Sequence, residues 1–204
     1  MQTAQWIIFD VGGVVVPEMG DTIEREAAAA VGVPVERLSP LLVEPFRRAT
    51  AGEITLEEMY RLALAQLGVQ AGAERAIARH LEVYRQHCSR RVPGTLDLVA
   101  RLRRRFHVAC LTNTEPEIAA TNKERGLFDP FERAFLSTDM RMRKPDPAIW
   151  TAVLRELACP AVEALYVDDR REYVEAAARL GMVSVRFRDA ARLEQDLRGI
   201  LGEF

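Results

Sequence analysis

The sequence predicts an α/β protein with a doubly wound, Rossmann-like parallel sheet. Three observations predict this fold. Residues 5–10 form a short apolar run typical of a buried strand, residues 18–90 show only helical periodicity, and from Pro93 onward short apolar runs alternate with helical segments. Strands that alternate with helices form parallel sheets whose two faces are both covered by helices. A long all-helical stretch after the first strand predicts an insertion into that sheet.

We therefore expect an α/β core built from residues 1–16 and 91–204, and a small helical cap at residues 17–90. In the cap, the Ala-rich segment 24–31 predicts one helix, and Pro34 and Pro40 predict interruptions after it. Thr55 and Glu58 have the spacing of a capping box, which predicts the start of another helix. Residues 75–88 predict a further cap helix.

The second part of the chain predicts four more strands, which the alternating pattern places at 107–112, 134–136, 165–168 and 183–187. The helices predicted around them span 95–104, 116–125, 147–157 and 171–180, and a closing helix follows the last strand. Ligands of doubly wound sheets bind at the carboxyl ends of the strands. We therefore expect the functional residues where these strands end.

Bulk properties exclude several classes of partner. The chain has 204 residues, 49% of them hydrophobic and 28% charged, and a net charge of −2. This balance gives no reason to expect nucleic acid or an anionic membrane as partner. No apolar run reaches the roughly 18 residues of a membrane span, and no secretory leader is evident. The three cysteines form no CxxC pair, which favours a reducing cytoplasm. We expect a cytoplasmic protein, either a monomer or a weak homodimer.

Polar residues follow three of the predicted strands. Asp10 ends the first strand, Thr112 and Asn113 end the second, and Asp168 and Asp169 end a later one. A carboxylate such as Asp10 can attack phosphorus and form an aspartyl phosphate. Mg²⁺ prefers hard oxygen ligands and usually binds through one or two carboxylates together with phosphate.

Lys144 completes this set in a turn whose prolines precede a helix. It is one of only two lysines among 28 basic residues, so its appearance in place of arginine is informative. A compact ammonium group suits a tight site that must neutralise phosphate.

These four elements, in this order and with a cap in the expected gap, resemble the haloacid dehalogenase-like hydrolases. The resemblance covers essentially the whole chain, and phosphatases dominate that superfamily. Gly52-Glu53-Ile54-Thr55 before a cap helix and Arg143-Lys144-Pro145-Asp146-Pro147 resemble its sugar-phosphatase branch. That branch includes an α-D-glucose-1-phosphate phosphatase and the N-terminal phosphatase domain of soluble epoxide hydrolases.

The resemblance implies a role for each residue. Asp10 would be the catalytic nucleophile, and Lys144 would be catalytic and would bind phosphate. Thr112 and Asn113 would bind the phosphoryl oxygens. The metal ligands of Mg²⁺ would be Asp10, Asp168 and the backbone carbonyl of Gly12. Asp169 would hold a metal-bound water or orient Lys144.

One position departs from the family pattern. Most phosphatases of this superfamily carry an acid–base Asp where this chain has Gly12, and such a group typically contributes about 10²–10⁴-fold to the rate. The enzyme could act on a substrate with an easier leaving group, or Glu18 or Asp21 could supply the acid. It could instead be a 2-haloacid dehalogenase, or a non-catalytic phosphate-binding or interaction protein.

The expected function is that of a Mg²⁺-dependent phosphatase acting on a small phosphorylated metabolite, with a sugar phosphate as the expected substrate. Glu18, Phe46 and Arg47 are candidates for the cap side of the pocket. The three histidines show no ligand spacing, and the basic run 101–105 is typical of a solvated helix face.

Overall fold

The computed structural model describes residues 4–204, and its centre is a five-stranded parallel sheet. The strands are β1 (Trp6–Phe9), β2 (His107–Thr112), β3 (Arg133–Leu136), β4 (Ala164–Asp168) and β5 (Val183–Arg186). Their order across the sheet is β3-β2-β1-β4-β5. The chain winds outward from β1 in one direction and then returns to wind in the other, so the predicted doubly wound fold is confirmed. The crevice where the direction changes lies between β1 and its neighbours, which is where such sheets bind ligands.

Four helices occupy the stretch between β1 and the core helices. They are α1 (Thr22–Ala30), α2 (Val35–Thr50), α3 (Leu56–Gln66) and α4 (Ala73–His87). The predicted capping box opens α3, because Thr55 accepts from the backbone of Glu58 and Glu58 accepts from the backbone of Thr55. The prediction of an interruption at Pro40 was wrong, since α2 runs through it. The buried face of α2, which includes Leu38 and Leu42, holds that helix in place by packing.

The remaining helices alternate with the strands as predicted. They are α5 (Thr95–Leu102), α6 (Pro116–Glu124), α7 (Ser137–Met140), α8 (Pro147–Glu156), α9 (Arg171–Arg179) and α10 (Ala190–Leu201). The sequence did not predict α7 or the 3₁₀ turn Ala161–Glu163, because a single turn is too short to show a period.

Three apolar clusters hold the fold together. Alternate residues of β1 point to opposite faces of the sheet: Ile7 and Phe9 enter one cluster and Ile8 enters the other. The third cluster lies within α1–α4 and also includes Ile118 of α6. This contact joins the cap helices to the sheet domain beside the end of β2. All three cysteines are buried and unbonded to one another.

None of the helices in residues 4–204 has both the length and the apolar character needed to cross a membrane.

Candidate active site

The parallel register brings the predicted residues to one edge of the sheet. Phe9 pairs with Cys110 of β2 and with Val167 of β4, so the next residue of each strand emerges at the same level. The backbone N–H of Asp10 donates to the carbonyl of Val167 at 2.8 Å. The structure thus places Asp10 between the ends of β2 and β4, beside the side chains expected to act with it.

Lys144 lies at the centre of the cluster and is fully buried. Its Nζ is 2.9 Å from Asp10 Oδ1 and 2.8 Å from Asp168 Oδ2. Burial alone would lower the pKa of Lys144, but the two carboxylates outweigh that effect and the net shift is upward. The ammonium group therefore stays charged, and it couples the ends of β1 and β4 electrostatically.

Two tyrosines surround this ammonium group. The Tyr166 hydroxyl accepts a hydrogen bond from Lys144 Nζ at 3.0 Å and donates to Asp168 Oδ2. The ring centroid of Tyr173 lies 4.9 Å from the same nitrogen, within cation–π range. The sequence did not lead us to predict a role for Tyr166. The spacing of two residues between Tyr166 and Asp168 could have indicated it, because it places both side chains on the same face of β4.

Asp10 is nearly enclosed. Its Oδ1 accepts from the backbone N–H of Val11 at 2.7 Å. Burial raises the pKa of Asp10 to about 7, whereas the charge of Lys144 opposes this shift. The charge of Lys144 and the hydrogen bond from Val11 thus both favour the carboxylate form of Asp10.

Asp10, Asp168 and Asp169 form the metal-compatible part of the site. One oxygen from each of the three carboxylates lies within 4.8 Å of the others. Asp169 Oδ1 is buried and has no hydrogen-bond partner among the described residues. A Cβ on Gly13 would lie 2.3 Å from Asp169 Oδ2, so the backbone approaches this carboxylate too closely for any side chain. The donor set is all oxygen and contains an orphaned carboxylate atom, which fits Mg²⁺.

Thr112 and Asn113 lie next to Asp10 but differ in what their side chains do. Thr112 is buried, and it lines the same small cavity as Asp10. The Asn113 side chain donates from Nδ2 to the carbonyl of Lys144 at 2.9 Å, and its Oδ1 accepts from the Lys144 backbone N–H at 2.9 Å. The Asn113 amide thus holds the backbone that carries the lysine, a contact that the sequence analysis did not predict.

Gly12 lies on the open side of the site. A Cβ built on Gly12 has no atom within 4 Å, so the position has room for a larger side chain. Of the residues considered as substitutes for the missing acid, Glu18 lines the same cavities as Gly12 and pairs with Arg170 at 3.2 Å. Asp21 pairs with Arg25 on the exposed end of α1.

Two connected cavities adjoin these residues. A cavity of about 110 Å³ is lined by Asp10, Gly12, Thr112, Lys144 and Tyr173, among others. Gly12, Thr112 and Asn113 also line a second cavity of about 170 Å³ that leads toward the cap helices. Phe46 reaches the first cavity from α2, whereas Arg47 is not among the described residues that line either one.

The histidines have structural contacts. The ring of His80 bonds the Tyr60 hydroxyl at 3.0 Å, and that of His87 bonds the carbonyl of Pro17 at 2.6 Å. His107 pairs with Glu132 at 2.8 Å on the surface. In the basic run, Arg101 is held by Glu194.

Residues 4–181 match the haloacid dehalogenase-like hydrolase family, and the chain belongs to that family. The D-ribitol-5-phosphate phosphatase of Bacteroides thetaiotaomicron is 24% identical over 209 residues, covering 96% of this chain and 97% of that protein.

Two fungal proteins match a shorter segment at higher identity. The sesquiterpene phosphatase astK of Aspergillus oryzae is 36% identical over 75 residues, which is 37% of this chain and 38% of its own length. A drimenol cyclase of Aspergillus calidoustus is 36% identical over 72 residues, 35% of this chain but only 14% of its own length. The chain therefore matches less than half of each of these two relatives.

Among solved structures, a haloacid dehalogenase family enzyme from Bacteroides thetaiotaomicron in complex with magnesium and inorganic phosphate has a TM-score of 0.73. It is 22% identical and covers 91% of this chain and 95% of its own. At that identity the likeness establishes the shared fold.

Proposed function

We propose that the protein is a Mg²⁺-dependent phosphatase that hydrolyses a small phosphorylated metabolite through an aspartyl phosphate. The observation that carries this proposal is the buried triad of Asp10, Lys144 and Asp168, with Lys144 Nζ at 2.9 and 2.8 Å from the two carboxylates. A lysine so placed neutralises a nucleophilic carboxylate and an incoming phosphoryl group together. We also propose that the enzyme is cytoplasmic and acts as a monomer or a weak homodimer.

Each residue has a defined role in the first step. An Asp10 oxygen attacks phosphorus, the bond from phosphorus to the ester oxygen breaks, and that oxygen leaves with the electron pair as an alkoxide or aryloxide, which takes a proton from solvent. The Thr112 hydroxyl donates a hydrogen bond to a phosphoryl oxygen, and Lys144 offsets the charge on the transferring group. Asn113 orients Lys144 through the lysine backbone and lines the same cavity.

The magnesium ion would be held by Asp10, Asp168 and the carbonyl of Gly12, with Asp169 nearby. When bound, it would neutralise phosphoryl charge and draw the phosphate toward the nucleophile. The buried, unpartnered oxygen of Asp169 supports this arrangement, because such an atom is costly to leave without a partner.

The second step is hydrolysis of the aspartyl phosphate, and here Gly12 has a consequence. No carboxylate extends from this position to protonate a leaving alcohol or to activate water. A substrate whose alcohol leaves easily loses little from the missing acid. We therefore propose a higher kcat/KM for aryl, anomeric or acyl phosphates than for simple alkyl phosphates.

Two substrate classes follow from the comparisons. The full-length likeness to a D-ribitol-5-phosphate phosphatase supports the sugar phosphate that the sequence predicts. The partial likeness to a sesquiterpene phosphatase supports the phosphate ester of an apolar alcohol.

The two alternatives to a phosphatase are less well supported. A dehalogenase needs no metal, and adjacent carboxylates with an orphaned oxygen at a strand end serve no purpose in that reaction. A non-catalytic phosphate-binding protein would gain nothing from a carboxylate held against the bound anion by a buried lysine.

The test is hydrolysis of p-nitrophenyl phosphate with Mg²⁺ and with EDTA, for the wild type and Asp10→Asn. We expect Mg²⁺-dependent turnover in the wild type and a loss of at least roughly 10³-fold in Asp10→Asn. The exposed pair Arg171–Glu175 offers a matched control, since Glu175→Gln changes an acid to an amide far from the site. Equal rates for wild type and Asp10→Asn would overturn the proposal, and halide release from a 2-haloacid in EDTA would favour the dehalogenase.

A further inference from the structure

A third cavity, of about 220 Å³, lies between the cap helices and α6, and we name it the cap chamber. Its apolar walls are Ile23, Leu42, Phe46, Met59 and Ile118. Tyr84, Glu115 and Ile118 also line the cavity of about 170 Å³ that reaches Gly12 and Thr112. Phe46 lines both the chamber and the cavity that contains Asp10. The chamber therefore adjoins the space that the alcohol of a phosphate ester bound at Asp10 would occupy.

Most polar groups of the chamber already have partners within the protein. The Tyr60 hydroxyl is bonded to the His80 ring at 3.0 Å. The Tyr84 hydroxyl exchanges hydrogen bonds with the Asn122 amide at 2.8 and 3.0 Å. Glu24 is half-buried and accepts from Ser39. The two tyrosine hydroxyls are thus already bonded within the protein, whereas Glu24 keeps one carboxylate oxygen without a partner among the described residues but is partly exposed to water.

Glu115 is the exception. It is only 7% exposed, and within residues 4–204 its carboxylate forms no salt bridge and no hydrogen bond to another side chain. Its remaining polar contact is with its own backbone amide. A largely buried carboxyl whose remaining polar contact is its own backbone amide keeps acceptor capacity, so at the wall of a cavity it is suited to a ligand that donates to it.

We propose that the substrate is a phosphomonoester of a mainly apolar alcohol that carries one hydrogen-bond donor, and that Glu115 accepts from this donor in the cap chamber. This inference rests on the proposed phosphatase function and adds its substrate class. At one end of the ligand the phosphate faces Lys144, and at the other the donor faces Glu115. The carbon skeleton between them packs on the apolar walls.

A sugar or polyol phosphate fits this chamber less well. Its many hydroxyls need many partners, whereas the chamber offers one buried free acceptor. Each hydroxyl transferred to apolar surroundings without a hydrogen bond opposes binding. An apolar skeleton gains from the same transfer, in proportion to the surface that it buries.

The inference is tested by competitive inhibition of p-nitrophenyl phosphate turnover, because an inhibitor reports binding without needing to react. The four compounds are hexyl phosphate, hydroxyhexyl phosphate, aminohexyl phosphate and D-ribitol 5-phosphate. We expect the hydroxyhexyl or aminohexyl ester to inhibit at a concentration at least roughly 10-fold lower than the ribitol ester. The two donor-bearing compounds distinguish a hydroxyl from an ammonium donor.

Two variants locate the binding site. Glu115→Gln keeps the shape but removes the charge, and it should reduce the advantage of the donor-bearing esters over hexyl phosphate by roughly 10-fold. Ile23→Trp fills the chamber and should weaken the binding of all three hexyl esters. Val43→Trp on α2 is the matched control, since Val43 is 56% exposed and lies outside the chamber. This variant should be inhibited by the four compounds at the same concentrations as the wild type.

The outcomes separate the two levels of the argument. Wild-type turnover of p-nitrophenyl phosphate, together with equal or tighter binding of the ribitol ester, overturns the substrate inference and leaves the phosphatase proposal standing. An unchanged inhibition pattern in both Glu115→Gln and Ile23→Trp also overturns it. Absence of any Mg²⁺-dependent turnover overturns the phosphatase proposal and this inference with it.

Discussion

At the scale of single residues, the choice of lysine at position 144 explains much of the site. The guanidinium of arginine, the chain's usual cation, is a broad planar fork, whereas the lysine ammonium is a compact charge. Lys144 Nζ contacts Asp10, Asp168 and Tyr166 within 3.0 Å, so three oxygens converge on one small cation. This convergence requires that the backbone of Lys144 be held in place.

The Asn113 side chain holds the Lys144 backbone in place through two hydrogen bonds, and removing that side chain should weaken the site. Asn113→Ala removes both hydrogen bonds to the Lys144 backbone. We expect a loss of about 1–3 kcal/mol in the free energy of unfolding, measured in urea. We also expect kcat for p-nitrophenyl phosphate to fall by roughly 10-fold or more, because a misplaced lysine stabilises the transition state less well. A variant with wild-type kcat would show that Lys144 needs no such support.

Gly12 offers a gain-of-function test. The absence of any atom within 4 Å of a Cβ built there means that an aspartate can be introduced without a clash. Gly12→Asp should raise kcat/KM for alkyl phosphates by roughly 10-fold or more, since these poor leaving groups profit most from an acid. The kcat/KM for p-nitrophenyl phosphate, whose nitrophenolate leaves easily, should change much less, because kcat/KM does not include the later hydrolysis of the aspartyl phosphate. A uniform change across both kinds of ester would contradict the leaving-group explanation.

At the scale of elements, the turn after β1 is fixed by its contact with the end of β4. Gly13 has φ +74°, and any Cβ there would collide with Asp169 Oδ2 at 2.3 Å. The turn and the second aspartate are therefore packed as one unit, although they are far apart in the sequence.

The matched pair Gly13→Ala and Gly32→Ala tests this contact. Gly32, at the end of α1, has φ +69° and nothing within 4 Å of its Cβ position, so its replacement measures backbone strain alone, about 1 kcal/mol. Gly13→Ala should cost more stability in urea unfolding and should also lower the Mg²⁺-dependent activity, because Asp169 must move. Equal effects of the two variants would mean that the collision is relieved without cost.

Elements with a long pattern could be predicted from the sequence, whereas contacts between distant elements could not. The strand His107–Thr112 was predicted to the residue, because an apolar run with a polar end is visible locally. The capping box of Thr55 was also visible, since both partners are three residues apart. The one-turn helix Ser137–Met140 has no period to detect, and the prediction at Pro40 failed because packing held α2 together.

The candidate site shows the same division. Asp10 and Asp168 were predicted because parallel strands end together. The contacts of the Tyr166 hydroxyl and the Asn113 amide with Lys144 could not be predicted, because they depend on distances between residues that are far apart in the sequence. The proposed role of Glu115 was not predicted either, because its burial beside a cavity depends on three-dimensional packing.

At the scale of the whole molecule, the proposed site and the chamber are built from both parts of the chain. The sheet order places β1 between β2 and β4, so the residues proposed to bind phosphate and metal lie where these strands end, together with Lys144 from the turn before α8. The helices α1–α4 contribute Phe46 and most walls of the chamber, whereas Glu115 and Ile118 come from the start of α6. We therefore expect variants of the chamber walls to alter selectivity more than turnover.

The proposed mechanism requires that Asp10 become phosphorylated during turnover. Without a carboxylate at position 12 to activate water, the aspartyl phosphate should break down slowly and accumulate during turnover. Acid-quenched wild-type enzyme, digested and analysed by mass spectrometry after mixing with p-nitrophenyl phosphate and Mg²⁺, should carry phosphate on the peptide that contains Asp10. Asp10→Asn should carry none and should be inactive. Undiminished turnover by Asp10→Asn, with phosphate on no peptide, would contradict the account.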